Sequence, residues 1–249
     1  VFAPTDAAFT QLATSLGFAS ATAMVAALPA ATLKSILTYH VLPAVRQASD
    51  LRAAPQSNQA TLYAFDGKPA DLAVNTSQSS VTITDAALTT ANVTAPDVAA
   101  SNGVIHAIDK VLVPPGVLNI VQMAQVNPQL SSLVSAVVSA NLQGTLSGSG
   151  PFTVFAPTNT AFSAAPSGLS SQQLAKVLTY HVLGSQVLAS QIPFGAPMTT
   201  LASQTIAINA GTPPTISDTT ATPARITATD VRASNGVIHV IDKVLIPAL

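Results

Sequence analysis

The chain has 249 residues, 48% apolar and only 8% charged, with a formal net charge of -1, no cysteine and a mean hydropathy of +0.47. So neutral a balance supplies none of the attraction that a nucleic-acid binder or a polybasic membrane binder needs, and without cysteine there is no thiol catalysis, thiolate metal site or disulfide. All 10 acidic residues are aspartates, so the surface must be wetted mainly by Thr, Ser, Asn and Gln.

The chain opens on Val1-Phe2-Ala3-Pro4-Thr5, which returns as Val154-Phe155-Ala156-Pro157-Thr158. Each copy reads as a strand stopped at its proline, with the threonine capping a short helix. The apolar stretch from Ala21 to Leu33 is too short to span a bilayer and is broken by Pro29, so no transmembrane segment is expected. A helix follows that carries Leu33, Ile36 and Leu37, or Leu174, Val177 and Leu178 in the second copy. It runs into Tyr39-His40 or Tyr180-His181, placing both histidines on the buried stripe.

The period then shortens to that of strands: Thr61 to Phe65, Asp71 to Asn75 and Val81 to Thr84, with a hairpin signal at Asp66-Gly67. The second copy offers Thr205 to Asn209 and Arg225 to Thr229, with a loop at Thr212-Pro213-Pro214. Ser101 to Leu112 is repeated at Ser234 to Leu245 with only Ala107 exchanged for Val240, an Asn-Gly turn feeding a β-branched strand.

The three matched blocks keep one order, so the chain holds two units, predicted as 1-114 and 115-249 with the joint at Pro114-Pro115-Gly116. So short a linker restricts the mutual orientation of the units. Val117 to Phe152 has no counterpart in the first copy, which is expected to begin inside its unit and to lack the first helices. Within that stretch Asn127-Pro128 reads as the start of a helix carrying Leu130, Leu133, Val134, Val137 and Val138 on one face. Helices first and short strands after is α+β logic.

The Phe-Ala-Pro-Thr block, the Tyr-His pair and the Asn-Gly-Val-Ile-His block resemble the signature segments of the fasciclin-like domain, twice and in order, across essentially the whole chain. The resemblance implies two domains, each a wedge of two small β-sheets with helices packed around it. It implies a secreted, extracellular or cell-surface adhesion protein, a scaffold of matrix or cell wall that binds a partner protein or polysaccharide. Two weak sites on one chain would act together through effective concentration, and weak self-association fits the same picture.

In adhesive animal members, an Asp-Ile pair before the Asn-Gly turn and the Tyr-His segment are associated with integrin binding. Here Asp97-Val98 and Asp230-Val231 keep the acid but replace Ile with Val, the following Met is absent, and no Arg-Gly-Asp occurs. The implied partner-binding residues are therefore Asp97, Val98, Asp230, Val231, Tyr39, His40, Tyr180 and His181. The simpler reading of both aspartates is that they satisfy backbone donors at a turn. The resemblance also extends to algal fasciclin-like proteins that carry carotenoid. That alternative would place an apolar ligand, a carotenoid cofactor, between the helices of Ala21 to Leu37 and the sheet, against Met24, Val25, Leu28 and Leu33.

His40, His106, His181 and His239 each stand alone, without a second ligand at metal spacing, and read as structural imidazoles bonded to backbone. Neither a Gly-x-Ser-x-Gly elbow nor a phosphate-binding loop is present, so no enzyme and no metal site is expected. Asn75-Thr76-Ser77 and Asn92-Val93-Thr94 are glycosylation sequons, with Asn75 expected in a polar loop and Asn92 at a strand edge.

Overall fold

Asp66 and Gly67 both take positive φ, 50° and 76°, the left-handed pair that a two-residue hairpin needs, and they join the two longest-paired strands of the first repeat. The computed structural model describes residues 1-77, 80-165 and 168-249, and the chain divides into unit 1, Val1–Leu118, and unit 2, Asn119–Leu249. Pro115 belongs to unit 1, where its carbonyl accepts the Tyr63 hydroxyl at 3.0 Å. The division therefore falls a few residues beyond the double proline.

Unit 1 runs β1 (Phe2–Pro4), α1 (Asp6–Ser15), α2 (Ala21–Ala27), α3 (Ala30–Tyr39), α4 (Ala48–Leu51), β2 (Gln56–Phe65), β3 (Lys68–Thr76), β4 (Val81–Thr84), β5 (Thr90–Ala100) and β6 (Gly103–Ile108). Thr5 and Ser20 start α1 and α2 by accepting the Ala8 and Ala23 amides. The strands form one curled sheet in the order β1-β6-β5-β4-β3-β2, with β1 parallel to β6 and every other pair antiparallel. The long β5 is shared by the two expected small sheets. The residues after α3 close the curl, because Phe2 N–H donates to the His40 carbonyl and Leu62 N–H to that of Val41. Phe2, Tyr39, Leu72, Ile83, Ile108 and Leu112 pack inside.

Unit 2 starts with α5 (Ile120–Val126), a 3-10 turn Pro128–Leu130, α6 (Ser131–Ser139) and α7 (Gln143–Leu146). Asn127 thus caps the 3-10 turn rather than the main helix, and α6 buries Leu133 and Val137 while Val138 faces outward. Then come β7 (Phe152–Pro157), α8 (Asn159–Ser163), α9 (Ser171–Tyr180), β8 (Val182–Leu183), β9 (Pro197–Thr199), β10 (Thr205–Asn209), β11 (Thr215–Ser217), β12 (Ala224–Ala233) and β13 (Gly236–Ile241). Their order is β8-β7-β13-β12-β11-β10-β9, and a bridge between Leu183 and Thr200 brings the ends together around Phe155, Tyr180, Ile208, Ile216 and Ile241. The repeated Ser-Asn-Gly turn uses Ser and Asn as its two loop residues, with Ala100 opposite Gly103 and Ala233 opposite Gly236. Among the described residues no single helix is long and apolar enough to cross a membrane.

Candidate functional site

The Tyr-His pair sits where each sheet closes. Tyr39 Oη donates to the Asp71 carbonyl at 2.9 Å and Tyr180 Oη to that of Thr205 at 3.0 Å, both from within the core. His40 Nδ1 meets the Ile36 carbonyl at 2.7 Å and its Nε2 accepts the Leu112 amide at 2.9 Å. His181 repeats this with Val177 at 2.7 Å and Leu245 at 2.8 Å. Because Nε2 accepts, the network assigns the ring proton to Nδ1 in both. Burial holds both imidazoles down at about 4, so they are neutral pins between a helix end and the segment after the last strand. All four residues of the two pairs are core side chains and offer a partner no surface.

The second histidine pair has the opposite tautomer. His106 Nε2 faces the Arg46 carbonyl at 2.7 Å and His239 Nε2 that of Val187 at 2.9 Å, while Nδ1 of each accepts the backbone amide of Asp97 or Asp230 at 3.3 Å. Each ring lies 5.6 Å from a phenylalanine ring, Phe2 or Phe155. The two aspartates stand at β-bulges with positive φ, 58° and 59°. Asp97 Oδ1 accepts the Ala48 amide at 2.8 Å, and Asp230 Oδ1 that of Ala189 at 2.9 Å, capping α4 and the 3-10 turn Ala189–Gln191. Both carboxylates are exposed, yet their neighbours differ: Val98 is 47% exposed and Val231 only 6%. Of the eight residues implied by resemblance, Asp97, Val98 and Asp230 reach the surface.

Asn75 lies within β3 between β2 and β4, half-buried, with its Oδ1 taking the Gln56 amide at 2.7 Å; it is not in a loop. Gln78 and Ser79 of the polar run assigned to that loop lie outside the described residues. Asn92 is exposed on β5, its Nδ2 donating to Asp109 Oδ2 at 2.7 Å. Their relative accessibility is thus the reverse of the expectation.

The sequence reading passed over Asp85 and Asp218. Asp85 is buried and accepts the amides of Ala87, Thr89 and Val113 and the Thr89 hydroxyl, and burial pushes it up to about 6. In unit 2, Asp218 Oδ2 accepts the Ile246 amide at 2.8 Å and pairs with Lys243 Nζ at 2.9 Å, and its hydrogen bonds hold it below the usual carboxylate range. The signal was available: Asp85 precedes Lys110 by the same 25 residues that separate Asp218 from Lys243.

A cavity lies in each repeat, and the two linings share the matched pairs Val154 with Val1 and Val182 with Val41. In unit 2 an apolar space of about 30 Å³ is enclosed by α5, α6 and α7 on one side and Val154, Leu178, His181 and Val182 on the other. In unit 1 an open groove of about 320 Å³ is lined by Val1, Val41, Val45, Asn102, Val104 and Ile105. Among the described residues no three His, Cys, Asp or Glu side chains gather at metal-binding distance.

The sequence pattern of the fasciclin domain matches residues 1–114 and again 128–247. The chain belongs to the fasciclin domain family. Its relatives include protein sll1483 of Synechocystis, 39% identical over 142 residues that make up 53% of this chain and 75% of that one. Human periostin is 34% identical over 155 residues, 59% of this chain and 18% of periostin. The cell surface glycolipoprotein MPB83 of Mycobacterium bovis is 35% identical over 132 residues, 49% and 57% of the two chains. A FAS1 domain pair from the insect cell adhesion molecule fasciclin I shares the fold with a TM-score of 0.51 at 18% identity, over 100% of this chain and 88% of that one.

Proposed function

We propose that the chain is an extracellular adhesion or scaffold protein, secreted or held at a cell surface, that binds a partner protein or polysaccharide through its two fasciclin domains and performs no chemistry. The observation that carries this reading is where the repeat spends its polar groups. The tyrosines of the two Tyr-His pairs, all four histidines and the bulge aspartates bond to backbone, and Asp109 and Asp242 do the same, accepting the Asn92 and Arg225 amides at 2.7 Å. What remains for recognition is the exposed surface, where side chains such as Lys34, Arg52 and Lys68 stand. The insect adhesion molecule and the mycobacterial cell surface glycolipoprotein support the setting. Exposed Asn92 suits glycan attachment better than half-buried Asn75.

The carrier alternative has less behind it. Met24 is buried while Val25 is exposed, so the four side chains suggested to line an apolar site do not share one face.

The test is retention of the whole chain on immobilised matrix and cell-wall fractions. We expect retention above that of an unrelated protein, abolished by protease or by polysaccharide digestion of the fraction according to the partner. Val98→Glu should weaken it about tenfold without moving the melting temperature, because Val98 is an exposed apolar side chain beside an exposed acid. Retention equal to the control overturns the reading.

A further inference from the structure

Just past the Tyr-His pair of unit 2, the closing of the sheet leaves a gap. β8 meets the chain after β9 at the isolated Leu183–Thr200 bridge, beside which Leu201 N–H donates to the Val182 carbonyl at 2.8 Å. The pairing goes no further. Beyond the bridge, Leu183–Val187 on one side and Pro193–Thr199 on the other line a cleft of about 510 Å³, a volume usual for small-ligand sites. Ser185, Gln186, Gln191 and Thr199 are its polar lining, all exposed, and no lining residue carries a charge. The Ser185 and Thr199 hydroxyls and the Gln186 amide have no hydrogen-bond partner among the described residues. Gln191 Oε1 accepts the Leu188 amide at 3.1 Å, which holds the group in place and leaves its Nε2 hydrogens unused. Half-buried Met198 and the ring of Pro193 supply aliphatic surface in the same cleft.

Unit 1 does not carry this polarity. Counting from the shared Tyr-His-Val-Leu block, Ser185 and Gln186 fall where unit 1 has Ala44 and Val45. Thr199 precedes Thr200-Leu201 as Ala60 precedes Thr61-Leu62, and the two leucine amides make the same closing bond, to the carbonyls of Val182 and Val41. At all three positions unit 2 thus has a hydrogen-bonding side chain where unit 1 has an aliphatic one. The closing of the sheet does not require them, since unit 1 closes in the same way without them.

We infer that this cleft of unit 2 is the subsite through which the chain holds an uncharged polysaccharide. The inference rests on the reading of the chain as an adhesion or scaffold protein and names its partner as a neutral glycan. A sugar ring offers hydroxyls around its rim and C–H groups on its faces. The cleft has a counterpart for each: the amides of Gln186 and Gln191 and the hydroxyls of Ser185 and Thr199 for the rim, Met198 and Pro193 for a face. A charged ligand would give up its hydration to a lining that has no counter-charge. A peptide that adds a strand fits less well, because β9 is three residues long and begins at Pro197, which has no N–H to donate.

The experiment titrates the whole chain calorimetrically with oligosaccharides of cellulose, mannan, xylan and laminarin, all neutral, and with acidic oligogalacturonate. We expect saturable binding of at least one neutral probe, unchanged between low and high salt, and none of the acidic one. Ser185→Ala, Gln186→Val and Thr199→Ala together install the residues of unit 1. They should weaken binding about tenfold or more and leave the melting temperature that of the parent, because unit 1 closes its sheet with those same side chains. Thr199→Ala alone, a milder change, should weaken binding severalfold. Binding of a neutral probe that survives the triple substitution overturns the inference. Failure of every neutral probe, with the chain still retained on matrix fractions, overturns it and leaves the scaffold reading standing. Retention lost to protease and not to polysaccharide digestion gives the chain a protein partner and overturns it as well. A chain that is retained on no fraction and binds no probe overturns both readings.

Discussion

At Asp97 and Asp230 one side chain sets two requirements on the same backbone. The bulge demands a left-handed residue, which Asp tolerates better than most, and the short helix facing it needs an acceptor for its first amide. Only a short polar side chain meets both. Asp230→Asn keeps the acceptor and the tolerance, so it should stay within about 0.5 kcal/mol of the parent. Asp230→Gly relieves the backbone but loses the cap. Asp230→Ala loses the cap and keeps the strain, and should cost about 1–2 kcal/mol. Urea denaturation should rank the three Asn, Gly, Ala; a harmless alanine would mean that the carboxylate does not hold the Ala189 turn. The turn role of these aspartates was legible from their place before Ser-Asn-Gly. The helix each one caps was not, because Ala48 and Ala189 are separated from them by 49 and 41 residues.

Among the elements, the repeated turn and strand show how far identical sequence fixes structure. The hairpins β5-β6 and β12-β13 form alike, since Ser-Asn and a β-branched run dictate them locally. Their other edges are paired alike in direction, β13 with the six residues of β7 and β6 with the three of β1, both parallel. Gly236→Ala should cost about 2 kcal/mol or more, its Cβ colliding with the Phe152 carbonyl and forcing β7 off β13, whereas Gly103→Ala, whose Cβ would meet nothing within 4 Å, should stay within about 0.5 kcal/mol. Equal losses would show that the glycine serves the turn itself. The spacing of Leu37 and Leu178 could not reveal that one is exposed and the other buried, because periodicity marks the inward stripe of a helix and says nothing of what lies over it. In the same way Asn75 reads as loop from its polar neighbours but is a strand residue, held by pairing on both sides.

On the scale of the whole molecule, the two units share a fold and differ in how they hold protons. His40 and His181 stay neutral down to about 4, below the 6.5 of an unfolded imidazole, so as pH falls from 6.5 towards 4 the unfolded chain takes up protons that the folded one refuses. Each displacement of that size removes about 3 kcal/mol. In unit 1 Asp85 opposes this. Its folded value of about 6 lies above 3.8, so there the folded state takes the proton first and gains about 3 kcal/mol across the same window. Among the described residues of unit 2 no buried carboxylate is raised in this way: Asp218 lies below its usual range and contributes stability that is lost only below about 3.8, and His239 is lowered by burial and adds to the loss. Unit 2 should therefore weaken first in acid. Hydrogen exchange from pH 7 to 4 should show protection falling in β10–β13 while β3–β6 hold nearly constant. Asp85→Asn, which cannot take up the proton, should make unit 1 lose protection alongside unit 2. Parallel loss in the parent chain, or no change of slope in the variant, would refute this account, and with it the view that one buried carboxylate sets the acid response of its unit.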